Sequence, residues 1–172
     1  GSISQNVSVN NNPTPSITGN LSACVGTSST LNAGNGYASY NWSSGGATSS
    51  ITVSTSGTYT VTVTDLNGCT GTTNANFTSL PFTAATITGP SGFCTGNNAT
   101  IDAGSGYSNY LWSTGGNGQQ LNVTAGGNYT VTVTAANGCS GTSNFTINQW
   151  ALPVPQITGV TAICQGAAAN LQ

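Results

Sequence analysis

The stretch GTYTVTVTDLNGCTG, residues 57–71, decides the reading of this chain, and residues 127–141 repeat it as GNYTVTVTAANGCSG. In the first, Tyr59, Val61 and Val63 alternate with Thr58, Thr60, Thr62 and Thr64. A period of two puts the first set on one face and the threonines on the other, as in a half-buried strand. Asn67 and Gly68 then mark a turn, and Cys69 follows it. Ile51 with Val53, and Leu121 with Val123, carry the same alternation between turn signals at Gly34, Gly36, Gly45 and Gly46. No helical period of useful length is present.

Working outward, the repeat covers nearly the whole chain. Cys24, Cys94 and Cys164 are spaced by seventy, as are Cys69 and Cys139. Gly36, Tyr37, Tyr40 and Trp42 return as Gly106, Tyr107, Tyr110 and Trp112 without a gap. Six or seven short strands in about seventy residues, with turns every 8–12, predict an all-β chain of tandem β-sandwich domains. Residues 13–80 and 81–151 read as two full copies. Residues 1–12 match the last strand of a preceding copy, with Val7 in the place of Phe77 and Ile147. Residues 152–172 match the first strands of a following, incomplete copy, with Leu171 in the place of Leu31. The expectation is a window onto a longer repeat chain, or a subunit that completes its end domains with strands from its neighbours.

Composition excludes whole classes of function. The chain has no Lys, Arg or His, and its only carboxylates are Asp65 and Asp102. Without cations it has nothing to displace counterions from nucleic acid or to hold anionic lipid headgroups. No apolar run approaches the roughly 20 residues that span a bilayer, so membrane insertion is not expected. General acid–base catalysis needs a tuned titratable group. The repeat breaks both carboxylates, Asp65 becoming Ala135 and Asp102 matching Asn32. A serine nucleophile would lack a base, and a calcium site would lack clustered carboxylates. The reading is a protein that is not an enzyme and has no cofactor, with Asp65 serving the turn before Asn67 and Gly68.

Five cysteines without histidine point to disulfides in an oxidising compartment rather than to zinc. The repeat suggests Cys24 with Cys69 and Cys94 with Cys139, each closing a loop of about 45 residues worth near 4 kcal/mol in the chain-entropy model. A sandwich of about 70 residues has a thin core, so such staples matter. Cys164 is left unpaired.

Tyr40-Asn41-Trp42-Ser43-Ser44-Gly45 and Tyr110-Leu111-Trp112-Ser113-Thr114-Gly115 precede the two GxYTVTVT strands. That combination resembles the tandem immunoglobulin-like and PKD-like domains of bacterial surface proteins, especially the long adhesins of Bacteroidota-type bacteria. The resemblance implies secreted, cell-surface sandwiches used as stalks and fibres. It implies core roles for Trp42, Trp112, Tyr59 and Tyr129. PKD domains usually carry acidic residues after this Trp, where here the chain reads Ser-Ser-Gly-Gly and Ser-Thr-Gly-Gly.

Eight Asn-x-Ser/Thr sequons occur, at Asn6, Asn20, Asn41, Asn76, Asn98, Asn122, Asn128 and Asn144. Roughly six would arise by chance from this composition, so the count alone proves little. Edge chemistry argues more strongly for sugar. Uncharged, threonine-rich strands invite edge pairing, and charge normally prevents it. Either glycans cover the Ser, Thr and Asn faces or the strands are meant to associate. Both suit an extracellular or cell-surface fibre, pilus-like filament or adhesin stalk whose partners are copies of itself or neighbouring repeats. Strands of eight to ten residues would make each copy roughly 30–35 Å long and tandem copies a thin rod. Pro13, Pro15, Pro153 and Pro155 stiffen two junctions. The alternative function is a carbohydrate-binding array for surface glycans that stacks sugars on Tyr37 and Tyr107 in their glycine-flanked turns. Trp150, matching Leu80 before the second proline pair, is expected to pack between consecutive domains.

Overall fold

The computed structural model describes residues 3–159, 162–166 and 168, and its described elements are all strands. The first six are β1 (Ser22–Cys24), β2 (Ser29–Asn32), β3 (Ser39–Trp42), β4 (Ser50–Val53), β5 (Gly57–Thr64) and β6 (Thr70–Leu80). The next six are β7 (Gly92–Cys94), β8 (Ala99–Asp102), β9 (Asn109–Trp112), β10 (Gln120–Val123), β11 (Gly127–Thr134) and β12 (Ser140–Trp150). Every bound in the second set stands seventy residues after its counterpart. Two compact units result: Gly1–Thr83 with Thr134–Gly141, and Ala84–Val133 with Thr142–Gln172.

In the first unit, one sheet has the order β1-β6-β5-β3 and a second pairs β2 with β4. The pair β5–β6 is antiparallel, with Gly57 opposite Phe77 and Thr64 opposite Thr70. β3 runs antiparallel to β5, with Trp42 opposite Val61. The short β1 runs parallel to the far end of β6, with Ser22 opposite Thr78 and Cys24 opposite Leu80. Both sheets supply the core: Leu31 and Val53 from one, and Trp42, Val61, Val63 and Phe77 from the other. This is a two-layer sandwich, and the alternation in residues 57–64 reaches it directly. Val61 and Val63 are fully buried, Tyr59 is half-buried, and Thr58 is exposed.

The tryptophans occupy the core as the resemblance implies. Trp42 and Trp112 are both buried. An indole N–H needs an acceptor there, and Trp42 Nε1 donates to Thr48 O while Trp112 Nε1 donates to Gly118 O, each at 2.9 Å. The Ser-Ser-Gly-Gly turn has its own reason. Gly45 N donates to Trp42 O at 2.9 Å with φ at 90°, in the region that favours glycine. A Cβ on Gly46 would run into the Ile51 side chain. Tyr59 and Tyr129 are half-buried, and their hydroxyls donate to Thr55 O at 2.9 Å and Ala125 O at 2.7 Å.

The second unit has the sheet order β7-β12-β11-β9 with β10 paired to β8. Its buried residues include Phe93, Ile101, Trp112, Val123, Val131, Val133 and Ile147. β7 again runs parallel to β12, with Cys94 opposite Trp150.

The cysteine pairing differs from the within-copy expectation. Cys24 is bonded to Cys139, with Cα atoms 5.7 Å apart, while Cys69, Cys94 and Cys164 are free thiols. The reason is the direction of β1. Cys24 lies beside Leu80, the last residue of β6, whereas Cys69 immediately precedes the first. At about 3.3 Å per residue, a strand of this length separates the two cysteines by roughly 30 Å or more, far beyond bonding range. The same parallel pairing keeps Cys94 away from Cys139.

Residues 3–12 and 162–164 lie in no strand. The strand expected around Leu171 lies outside the described residues.

Candidate functional site

Two features carry chemistry: the cysteine-bearing turns and the outer face of the β5–β6 sheet. The turns come in two kinds, and each kind occurs twice. The turn before β6 is closed by Asp65 N donating to Cys69 O at 2.9 Å. Ala135 N to Cys139 O, at 2.8 Å, closes its counterpart before β12. Asp65 Oδ1 accepts from Asn67 N at 2.9 Å and Cys69 N at 2.8 Å, so this carboxylate does the turn-building work read from the sequence. In the second turn Asn137 Oδ1 accepts from Cys139 N at 3.1 Å instead. Cys139 is buried within its bond.

The other kind follows β1 and β7. Val25 N donates to Leu80 O at 2.9 Å, and Thr27 N donates back to Cys24 O at 2.9 Å. Around Cys94, Thr95 N donates to Trp150 O at 2.8 Å and Asn97 N to Cys94 O at 3.0 Å. The chain leaving β6 also approaches the Cys139 turn. Asn137 Nδ2 donates to Pro81 O at 2.7 Å, and a Cβ on Gly141 would strike the Phe82 ring.

The outer face of β5 and β6 is a ladder of hydroxyls and amides. Thr58 Oγ1 donates to Asn76 Oδ1 at 2.7 Å, and the Thr62 and Thr72 hydroxyls lie 3.0 Å apart. Cross-strand pairs of this sort stabilise a sheet without charge. All eight sequon asparagines, Asn6, Asn20, Asn41, Asn76, Asn98, Asn122, Asn128 and Asn144, are exposed.

Tyr37 and Tyr107 are half-buried rather than projecting from their turns. Tyr37 meets Tyr40 edge to face with ring centres 5.8 Å apart, and Tyr107 meets Tyr110 in the same way at 5.8 Å. Tyr37 also packs against the core of the first unit. Tyr40 and Tyr110 donate their hydroxyls to Gly34 O at 2.9 Å and Gly104 O at 2.8 Å. Trp150 is half exposed, and its ring lies over Gly92 of the neighbouring β7.

An open depression of about 540 Å³ in the first unit is lined by Val25, Thr27, Ser28, Ser54, Thr55 and Ser79 among others, with no titratable or aromatic side chain. Among the described residues, no three His, Cys, Asp or Glu side chains come together as a metal site. Among them, too, no helix is long and apolar enough to cross a membrane. The Asp102 carboxylate accepts three hydrogen bonds. Donation from Gln119 Nε2 at 2.9 Å and from Gln120 Nε2 at 2.7 Å, together with Gly104 N at 2.7 Å, holds it below the usual carboxylate value. Its role is that of a turn acceptor. Asn32 takes the same place in the first copy, with Oδ1 accepting from Gly34 N at 2.6 Å.

A family model described as a PKD-like domain matches residues 80–148. The match and the two-layer strand plan agree on an immunoglobulin-like, PKD-like fold for the matched region. No curated protein sequence matches the chain. Among solved structures, murine CEACAM1b is similar at 11% identity and a TM-score of 0.36, over 78% of this chain and 99% of that one. A mixed-linkage glucan utilization locus protein of Bacteroides ovatus, SGBP-B, solved with a mixed-linkage heptasaccharide, is similar at 11% identity and a TM-score of 0.26. That match covers 92% of this chain, which spans about half of the Bacteroides chain (51%).

Proposed function

We propose that this chain is a structural repeat protein of an extracellular or cell-surface fibre, pilus-like filament or adhesin stalk, stapled by disulfides and carrying glycans on its outer Ser, Thr and Asn faces. The observation that carries the reading is the Cys24–Cys139 bond, which spans 115 residues and ties the first copy of the repeat to a turn belonging to the second. A bond inside one copy would serve that copy's stability alone. A bond between copies serves continuity along the chain, because load applied at the ends then bypasses the residues between the two sulfurs. The bond also calls for an oxidising compartment.

The surface supports the same reading. A chain that is 1% charged has no electrostatic means of keeping strand edges apart. It presents instead exposed sequons and hydroxyl ladders, which suit either a glycan coat or lateral association.

Electron microscopy of material from the native source, without refolding, tests this. The expected result is long unbranched fibres with an axial repeat of one or two domain lengths. Dispersed, unassembled particles would overturn it.

A further inference from the structure

Aligned seventy residues apart, residues 20–80 and 90–150 share no sequon position. Asn20, Asn41, Asn98 and Asn122 meet Pro90, Leu111, Ser28 and Thr52, and Asn144 meets the Asn74 of Asn74-Ala75-Asn76, which is no sequon. Asn76 and Asn128 fail the comparison too, because they meet Thr146 and Thr58.

The sheet pairing relates those last two. In the first unit Thr58 of β5 stands opposite Asn76 of β6, and Thr58 Oγ1 donates to Asn76 Oδ1 at 2.7 Å. In the second unit the asparagine is on β11 and the threonine on β12. There Thr146 Oγ1 donates to Asn128 Oδ1 at 3.5 Å. The two units hold one and the same cross-strand pair with its members exchanged. Each asparagine also heads a sequon along its own strand, Asn76-Phe77-Thr78 in one and Asn128-Tyr129-Thr130 in the other.

The hydrogen bond by itself does not call for asparagine. Further along the same strands, Thr62 and Thr72 make the cross-strand contact with two hydroxyls 3.0 Å apart. What asparagine adds is a carboxamide nitrogen. The threonine hydroxyl engages Oδ1, and Nδ2 has no acceptor among the described residues. Both asparagines are exposed. Their strands are also the inner ones of each sheet, β6 and β5 between β1 and β3, and β12 and β11 between β7 and β9. A group attached at either residue stands over the outer face about 5 Å, one strand, from an edge. An uncharged sheet needs bulk there if its edges are to stay unpaired.

We propose that Asn76 and Asn128 are N-glycosylation sites, one in each unit, carried by opposite members of the same cross-strand pair. The acceptor atom is Nδ2, and the sequon hydroxyls are those of Thr78 and Thr130. The co-reactant is a glycosyl diphosphate. The Nδ2–C1 bond forms as the C1–O bond to the diphosphate breaks; the diphosphate leaves with that electron pair, and one Nδ2 proton is lost to it or to solvent. Oδ1 takes no part in the new linkage and keeps its threonine donor. The inference rests on the glycan-bearing reading above and names the residues and the atom that bear the sugar.

The test is site-resolved glycopeptide sequencing of material from the native source. The chain has no Lys or Arg for trypsin, so chymotryptic or thermolytic peptides are used, with fragmentation that keeps the sugar on its residue. Asn76 and Asn128 are both expected to carry whole-sugar masses in most molecules, while Asn67 and Asn74, which head no sequon, stay bare. Sugar on only one of Asn76 and Asn128 overturns the shared site. Sugar confined to Ser and Thr, or to other asparagines, also overturns it, and leaves the glycan-coated fibre standing. Bare peptides throughout remove this site and the glycan coat together.

Discussion

The sharpest quantitative consequence concerns four single substitutions, Cys24→Ala, Cys139→Ala, Cys69→Ala and Cys94→Ala. Since Cys24 and Cys139 share one bond, either substitution removes the same constraint from the unfolded chain. A closed loop of 115 residues is worth about 5 kcal/mol in the chain-entropy model. The full value is expected when everything between the two sulfurs unfolds together. With a urea slope of about 2–3 kcal/mol/M, it corresponds to a midpoint lowered by about 2 M. Cys69 and Cys94 are half-buried free thiols, and their truncation should cost no more than about 1 kcal/mol. Alanine is the better replacement at position 139, because a serine hydroxyl would be buried there. Urea titration followed by tryptophan fluorescence reports the transition, since Trp42 and Trp112 are both buried and gain water on unfolding. The decisive result is the grouping of the variants. The structure groups Cys24 with Cys139 as costly and Cys69 with Cys94 as cheap. If Cys69→Ala lowers the midpoint as far as Cys24→Ala does, the bond lies within one copy and the parallel placement of β1 is wrong.

Other consequences are smaller or more local. Trp112→Ala empties a fully buried site and orphans the Gly118 carbonyl acceptor, so it should cost about 3–5 kcal/mol in the same titration. The pH profile of melting should be flat from about pH 5.5 to 7, the range in which His would titrate and this chain has none. Asp102, held below its ordinary value of 3.8, adds stability above that value that is lost as pH falls through its folded value; Asp102→Asn should remove this acid sensitivity and retain the Gly104 contact, as Asn32 retains the Gly34 one. Tyr37→Ala should lower stability by about 1–3 kcal/mol, since its ring packs on the core and on Tyr40, and glycan-array binding lost without that destabilisation would revive the sugar-binding reading. Proteolytic peptides of native material that carry the exposed Asn, Ser and Thr residues should exceed their bare masses by whole glycan units, and bare masses throughout would remove the glycan coat.

Most of the fold could be read from local pattern, because local pattern is what places these residues. The alternation through Tyr59, Val61 and Val63 needs only the pleat of one strand and a core on one side. The Asn67 and Gly68 turn needs only a short acceptor at Asp65 and a glycine at φ 81°. The core place of Trp42 came from the resemblance rather than from local pattern, and the structure adds its acceptor, Thr48, six residues away. Tyr37 was harder to read. Its glycine neighbours suggest a projecting turn, but the ring folds back onto Tyr40 and the core, and only the tertiary contact shows this.

The cysteine pairing failed for a different reason, which any tandem repeat shares. Periodicity defines two classes of cysteine, the β1 class of Cys24, Cys94 and Cys164, and the turn class of Cys69 and Cys139. The one bond observed does join a member of each class. Periodicity cannot say which copy supplies the partner, because Cys24–Cys69 and Cys24–Cys139 differ by one whole repeat. Strand direction breaks the tie. Had β1 run antiparallel to β6 at its near end, Cys24 would reach Cys69 and every copy would be a closed unit. Because it runs parallel at the far end, beside Leu80, its sulfur points the bond toward the turn of the next copy. A three-residue strand thus decides whether the staple serves a domain or a chain of domains.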